Sequence, residues 1–99
     1  MSEKYTSTDI YFSACLWTAY GEHSLIRITR ADRNGNFRGR PVKKYEFDVP
    51  TAAEAAAMFA DYLGGRLDMS DVRALFKTYN TLTGIVKQME REGQEEWTA

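Results

Sequence analysis

The hydrophobic pattern divides the chain into three helical stretches and two strand-like ones. From Ile10 to Tyr20 nearly every position is apolar or aromatic: Ile10, Tyr11, Phe12, Ala14, Cys15, Leu16, Trp17, Ala19 and Tyr20. These residues go almost all the way round a helix, and a helix apolar on every side is buried on every side. In a small domain that places the segment either at the centre of the fold or at an interface. Thr6 and Asp9 stand at capping-box spacing, and Tyr5 and Ile10 occupy the staple positions around them. Gly21 follows Tyr20 and is suited to the left-handed position that ends a helix. The spacing therefore predicts a helix over residues 7–20.

Two stretches of period-2 alternation follow. In residues 24–31, Ile26 and Ile28 are expected on one face, with Arg27 and Thr29 on the other. In residues 42–49, Tyr45, Phe47 and Val49 share a face opposite Lys44, Glu46 and Asp48. Such alternation indicates a sheet with one wet face. Between them, Asn34-Gly35 is a strong hairpin signal, because a type I′ turn needs positive φ at both central residues. The two strands should pair antiparallel, with Pro41 marking an edge, a bulge or an extended tip.

Thr51 and Glu54 make a full capping box after Pro50, opening a helix that stops at Gly64-Gly65. Met58, Phe59, Tyr62 and Leu63 form its stripe. Ser70 is the expected cap of the last helix, with Asp71 in its first turn, where the helix dipole favours an anion. Val72, Leu75, Phe76, Tyr79, Leu82, Val86 and Met89 recur at three- and four-residue spacing toward Gly93. The result is a single small α+β domain over residues 5–92, order α-β-β-α-α, with an antiparallel hairpin packed against helices. Residues 93–99 are expected to fray.

Thr6-Ser7-Thr8-Asp9-Ile10-Tyr11, leading into an apolar helix, resembles the opening of a family of short phage and bacterial domains of unknown function, the one numbered 5659. Asp61-Tyr62-Leu63-Gly64-Gly65-Arg66-Leu67 is similar to that family's aspartate, aromatic pair, glycine and leucine block between the last two helices. The helix from Ser70 to Met89 also fits, and the resemblance spans Tyr5 to Val86. It implies a compact fold and a phage or mobile-element setting, and it brings no catalytic residues. The chain departs from the family at its hairpin, which is longer and more basic.

Composition narrows the chemistry. The chain has 99 residues, 43% of them hydrophobic, as a folded domain requires. A domain of this size buries only roughly 60–65% of its unfolded surface, which leaves little room for a deep active site. One cysteine excludes an internal disulfide, and one cysteine with one histidine excludes a zinc site built from Cys and His. No signal-peptide or membrane-spanning run is read, so a cytoplasmic location without membrane partners is expected, the bacterial host being what the family resemblance implies. His23 has no orienting partner or adjacent nucleophile readable from the sequence. Cys15, among Ala14, Leu16 and Trp17, reads as an inert core residue. Asp68 and Asp71 are explained by capping. The chain is read as a non-enzyme with no metal and no cofactor.

Charge distribution is more informative than net charge, which is −1. Between Leu25 and Lys44 lie Arg27, Arg30, Arg33, Arg38, Arg40, Lys43 and Lys44 against Asp32 alone, a surplus of six. The rest of the chain carries a deficit of seven. With Phe37 inside the basic run, these residues are the candidate partner-binding set. Arginine suits carboxylate pairing at protein interfaces, and basic side chains with an aromatic also suit phosphates and bases. A plain solvated sheet face is the bland alternative. Tyr11, Trp17 and Tyr20 form a second candidate surface, either core or the interface of a homodimer or partner. With the phage setting that the family resemblance implies, the expected function is a non-catalytic interaction protein that occupies a host or phage protein, a candidate inhibitor of a bacterial defence system. Nucleic-acid binding through the same hairpin is the alternative.

Overall fold

The computed structural model describes residues 2–32 and 42–99. Segment 33–41, with the expected Asn34-Gly35 turn and four of the candidate residues (Arg33, Phe37, Arg38, Arg40), lies outside the described residues. The chain runs β1 (Glu3–Ser7), α1 (Ile10–Tyr20), a single 3-10 turn (Glu22–Ser24), β2 (Leu25–Asp32), β3 (Val42–Val49), α2 (Ala52–Leu63), α3 (Val72–Glu92) and β4 (Glu96–Thr98). The four strands form one antiparallel sheet in the order β1-β3-β2-β4. The α+β class and the antiparallel β2–β3 pair agree with the alternation. Two flanking strands are additions.

Both additions arise from tertiary pairing of segments too short to show a period. Thr6, expected in a capping box, instead lies in β1 opposite Glu46, while Tyr5 lies opposite Phe47. The helix therefore begins later, and Asp9 alone caps it: its carboxylate accepts from the Tyr11 and Phe12 amides at 2.8 and 3.1 Å. Ser13 is fully buried yet satisfied, its hydroxyl donating to the Asp9 carbonyl at 2.8 Å and lying 3.0 Å from the Ser7 hydroxyl. At the other end, Gly93 adopts φ 68, ψ 24, a left-handed cap. The Gln94 amide bonds back to the Met89 carbonyl at 2.8 Å, turning the chain toward the sheet. The tail expected to fray thus forms β4, with Trp97 opposite Ile28 and half-buried against the core. Asp71, rather than Ser70, caps α3 through the Ala74 amide.

Helix α1 lies at the centre of the fold, against the sheet on one side and α2 and α3 on the others. Phe12, Ala14 and Leu16 are sealed, as are Tyr45, Phe47 and Val49 on the inner face of β3. In β2 the expected parity fails. Leu25 pairs with Phe47 but Arg27 with Glu46, so Ile26 is an extra residue and the strand bulges there. Leu25 and Ile28 consequently both point inward and are buried, while Ile26 is only half-buried. The outer face is wet and carries cross-strand ion pairs, Lys4–Asp48 at 3.4 Å and Arg27–Glu46 at 3.6 Å.

Candidate functional site

Two surfaces come out of this arrangement. The first is the β2–β3 ribbon. Of its candidate residues, Arg27 is tied to Glu46 across the strands and is partly covered; its Nε is shielded from solvent without a hydrogen-bond partner. Lys43 corrects an expectation. It shares the parity of Tyr45, Phe47 and Val49, so it points inward, is only 7% exposed, and has its ammonium 3.6 Å from the Glu90 carboxylate on α3. The alternation already implied that direction; the basic run concealed it. Arg30 and Lys44 are exposed, on the part of the ribbon nearest residues 33–41. Among the described residues no ion pair holds either of them. On the ribbon, Arg27 and Lys43 are thus matched by carboxylates, while Arg30, opposite Lys43, and Lys44 stand in water.

The second surface is an aromatic cleft of about 290 Å³. Its floor is Tyr11, Ala14 and Cys15 of α1, and its walls are Tyr62 of α2 and Leu75, Phe76 and Tyr79 of α3. Tyr11 is 59% exposed, and its ring stacks on that of Tyr79 at 5.3 Å with the planes 10° apart. Tyr11 beside it chiefly, and burial second, hold the Tyr79 hydroxyl above its ordinary value. Tyr62 reaches the cap of α1, its hydroxyl 3.4 Å from the Asp9 carboxylate. Burial chiefly, and the Asp9 charge next, raise its pKa. On α3, Phe76 is 64% exposed, and Val72, one turn before it, 54%. All three faces meet because α2 and α3 each pack on α1.

Of the three aromatics singled out on α1, only Tyr11 belongs to this cleft. Trp17 is half-buried and donates its indole N–H to the Glu22 carbonyl at 2.8 Å, on a separate hollow shared with Lys77, Thr78 and Thr81. Tyr20 is half-buried beside His23, Ser24 and Asp48. Sequence reasoning assigned Leu75, Phe76 and Tyr79 to the core stripe of α3. The signal that separates Phe76 is weak: it and Val72 stand on the edge of that stripe, and both are exposed.

Among the described residues, the nucleophilic thiol and the acid–base imidazole lie apart. Cys15 lines the aromatic cleft, whereas His23 sits in the turn before β2 and lines a third hollow, with Tyr20 and Asp48. The Cys15 thiol titrates high, through burial first and the Asp9 charge second, which disfavours the nucleophilic thiolate. The Ser24 hydroxyl is engaged with the Gly21 carbonyl at 2.6 Å. Among the described residues, no three His, Cys, Asp or Glu side chains converge as metal ligands, and no helix is long and apolar enough to cross a membrane. Comparisons with known protein families, with curated proteins and with solved structures find no match to this chain.

Proposed function

We propose that this chain is a non-catalytic interaction protein that binds and occupies a protein partner through the β2–β3 ribbon. One observation carries the reading: Arg27 and Lys43 are held by Glu46 and Glu90, while Arg30 and Lys44 on the same two strands are exposed. Charge matched within the fold stabilises a sheet. Charge left in water beside a further basic run has no such role, and it suits a carboxylate-rich surface on a partner. The family resemblance supports a phage or mobile-element setting inside a bacterial cell, with a host or phage protein as the target and inhibition of a defence system as the outcome.

Nucleic-acid binding is the second reading, because a basic two-stranded ribbon fits a major groove. Two features weaken it: Lys43 is withdrawn into the fold, and the rest of the chain is acidic. Fluorescence anisotropy with single- and double-stranded oligonucleotides at two salt concentrations separates the readings. The protein-partner reading expects no binding below about 10 μM at low salt. Binding that falls steeply with salt and disappears in Arg30→Glu/Lys44→Glu overturns it in favour of nucleic acid. Affinity capture from infected-host lysate with the same pair of proteins then tests the favoured reading. A defined protein retained by wild type and lost by the double variant is its expected result; equal retention by both overturns the ribbon as the contact.

A further inference from the structure

We infer that the outer edge of β2 is a strand-addition site for an extended acidic segment of the partner protein, and that β4 occupies this edge as a displaceable internal stand-in. The inference rests on the ribbon reading and names the form the partner takes there.

The directions of the two exposed cations come first. Arg30 lies opposite Lys43, and Lys44 lies opposite Thr29, so the register puts Arg30 and Lys44 on opposite faces of the sheet. A flat surface laid on either face meets only one of them. An added strand meets both, because its consecutive residues point to opposite faces. The chain supplies the example itself. Glu96 lies opposite Thr29, in the same cross-strand row as Lys44. The Glu95 carbonyl accepts from the Arg30 amide at 2.9 Å, which sets Glu95 beside Arg30 in the next row. Two consecutive acids thus stand in register with the two exposed cations.

The second observation is how lightly this stand-in is held. β4 has three residues, against eight in each of β2 and β3. Its register with β2 covers Arg27, Ile28 and Thr29, and the Arg30 and Ala99 amides add one hydrogen bond at either end. Trp97 packs on the core yet stays half-buried, while Glu96 and Thr98 are exposed. Among the described residues, no ion pair ties Glu95 or Glu96 to the ribbon. A strand held by a few edge hydrogen bonds and one half-covered ring belongs to the least stable, first-opening part of a fold.

Strand addition draws its affinity from main-chain hydrogen bonds and its selectivity from alternate side chains. An extended partner segment with two consecutive acids followed by an aromatic residue offers the β2 edge the same hydrogen bonds, fills the seat of Trp97 over Ile28, and brings a carboxylate to each cation. Charge complementarity therefore favours this occupant over a neutral or basic strand.

A fluorescein-labelled peptide of residues 93–99 tests the inference by anisotropy against the full chain. Trp97→Ala and Glu95→Lys/Glu96→Lys each loosen the chain's own β4, and the second alters only exposed side chains. Each variant is expected to bind the peptide with Kd of about 100 μM or below, roughly tenfold tighter than wild type, whose edge is filled. Adding Arg30→Glu to either variant is expected to weaken binding about fivefold, and a peptide with lysine in place of both glutamates is expected not to bind. In wild type, the Arg30 amide is expected to exchange its hydrogen about tenfold faster than the amides joining β2 to β3. No peptide binding to either variant overturns the inference, as does equal binding by wild type or binding that survives the lysine peptide. Arg30 exchange as slow as that between β2 and β3 overturns the displaceable role of β4. Capture from lysate that still depends on Arg30 and Lys44, with no peptide bound, ends strand addition and leaves the ribbon reading in place. Peptide binding beside capture indifferent to both residues overturns the ribbon reading instead.

Discussion

Phe12 and Phe76 lie on two helices that pack side by side, yet one is sealed and the other is 64% exposed. The difference is in what surrounds each helix. α1 has the sheet beneath it and helices against two further sides, so nearly every apolar residue finds cover: Phe12 alone meets the rings of Tyr5, Phe59 and Tyr62 within 6.4 Å. α3 is nearly twice as long, with 21 residues against 11. Leu82 and Met89, in its later turns, are sealed, while its first turns hold Val72 and Phe76 in the open. Amphipathicity states which face of a helix is apolar; it does not state how much of that face a neighbour reaches.

The sharpest way to break this comparison is to remove one ring from each helix. Phe12→Ala is expected to cost about 3–5 kcal/mol, the usual loss for an emptied aromatic site, measured by urea unfolding at low protein concentration. A cost below about 1 kcal/mol would mean that α1 is not the centre of the core. Asp9→Ala removes two amide acceptors at the start of α1 and the partner of the Tyr62 hydroxyl. Its expected cost is about 1–2 kcal/mol in the same assay, the upper range for a lost cap. Phe76→Ser should change the stability of the monomer by less than about 0.5 kcal/mol, since the ring is mostly in water already. A larger loss would show that the cleft belongs to the core.

The smallest effect is confined to alkaline solution. Burial chiefly, with the charges of Glu90 and Asp9 behind it, holds the Tyr45 phenol well above its ordinary value of 10.0. Above pH 10 the unfolded chain releases this proton while the folded one keeps it, so ionisation favours unfolding and stability falls as pH rises. Below pH 10 the contribution is fully present and level. Tyr45→Phe is therefore expected to leave the neutral-pH unfolding curve near wild type and to reduce the loss of stability between pH 10 and 11. An unchanged alkaline slope would assign that loss to Tyr5, Tyr20, Tyr62 and Tyr79, all of which also titrate high.

Local signals were legible wherever a residue's role depends on its near neighbours in sequence. The three helices, the stop at Gly93, the Thr51 capping box and the inward set of Tyr45, Phe47 and Val49 all belong to this kind, because caps and periodicity act within one or two turns. The candidate surfaces were legible only in part. The basic surplus is a property of composition and was visible, and Tyr11 stood out for its place on a helix apolar all round. That Lys43 is covered, that Arg27 is paired and that Phe76 is not covered depend on which elements lie opposite them.

Residue order by itself determined that this protein folds as α+β, with a helix apolar all round, an amphipathic last helix and a strongly basic ribbon, while only packing put the apolar helix at the centre. Tertiary structure alone decided that Tyr5 and Trp97 sit on added strands, that Ile26 is the extra residue of a bulge, and that Val72 and Phe76 of α3 are left exposed. Strands of three to five residues carry too few positions to show a period, and a bulge reverses the inward direction without altering composition. Pairing and packing bring together residues far apart in sequence, and there the local pattern loses its authority.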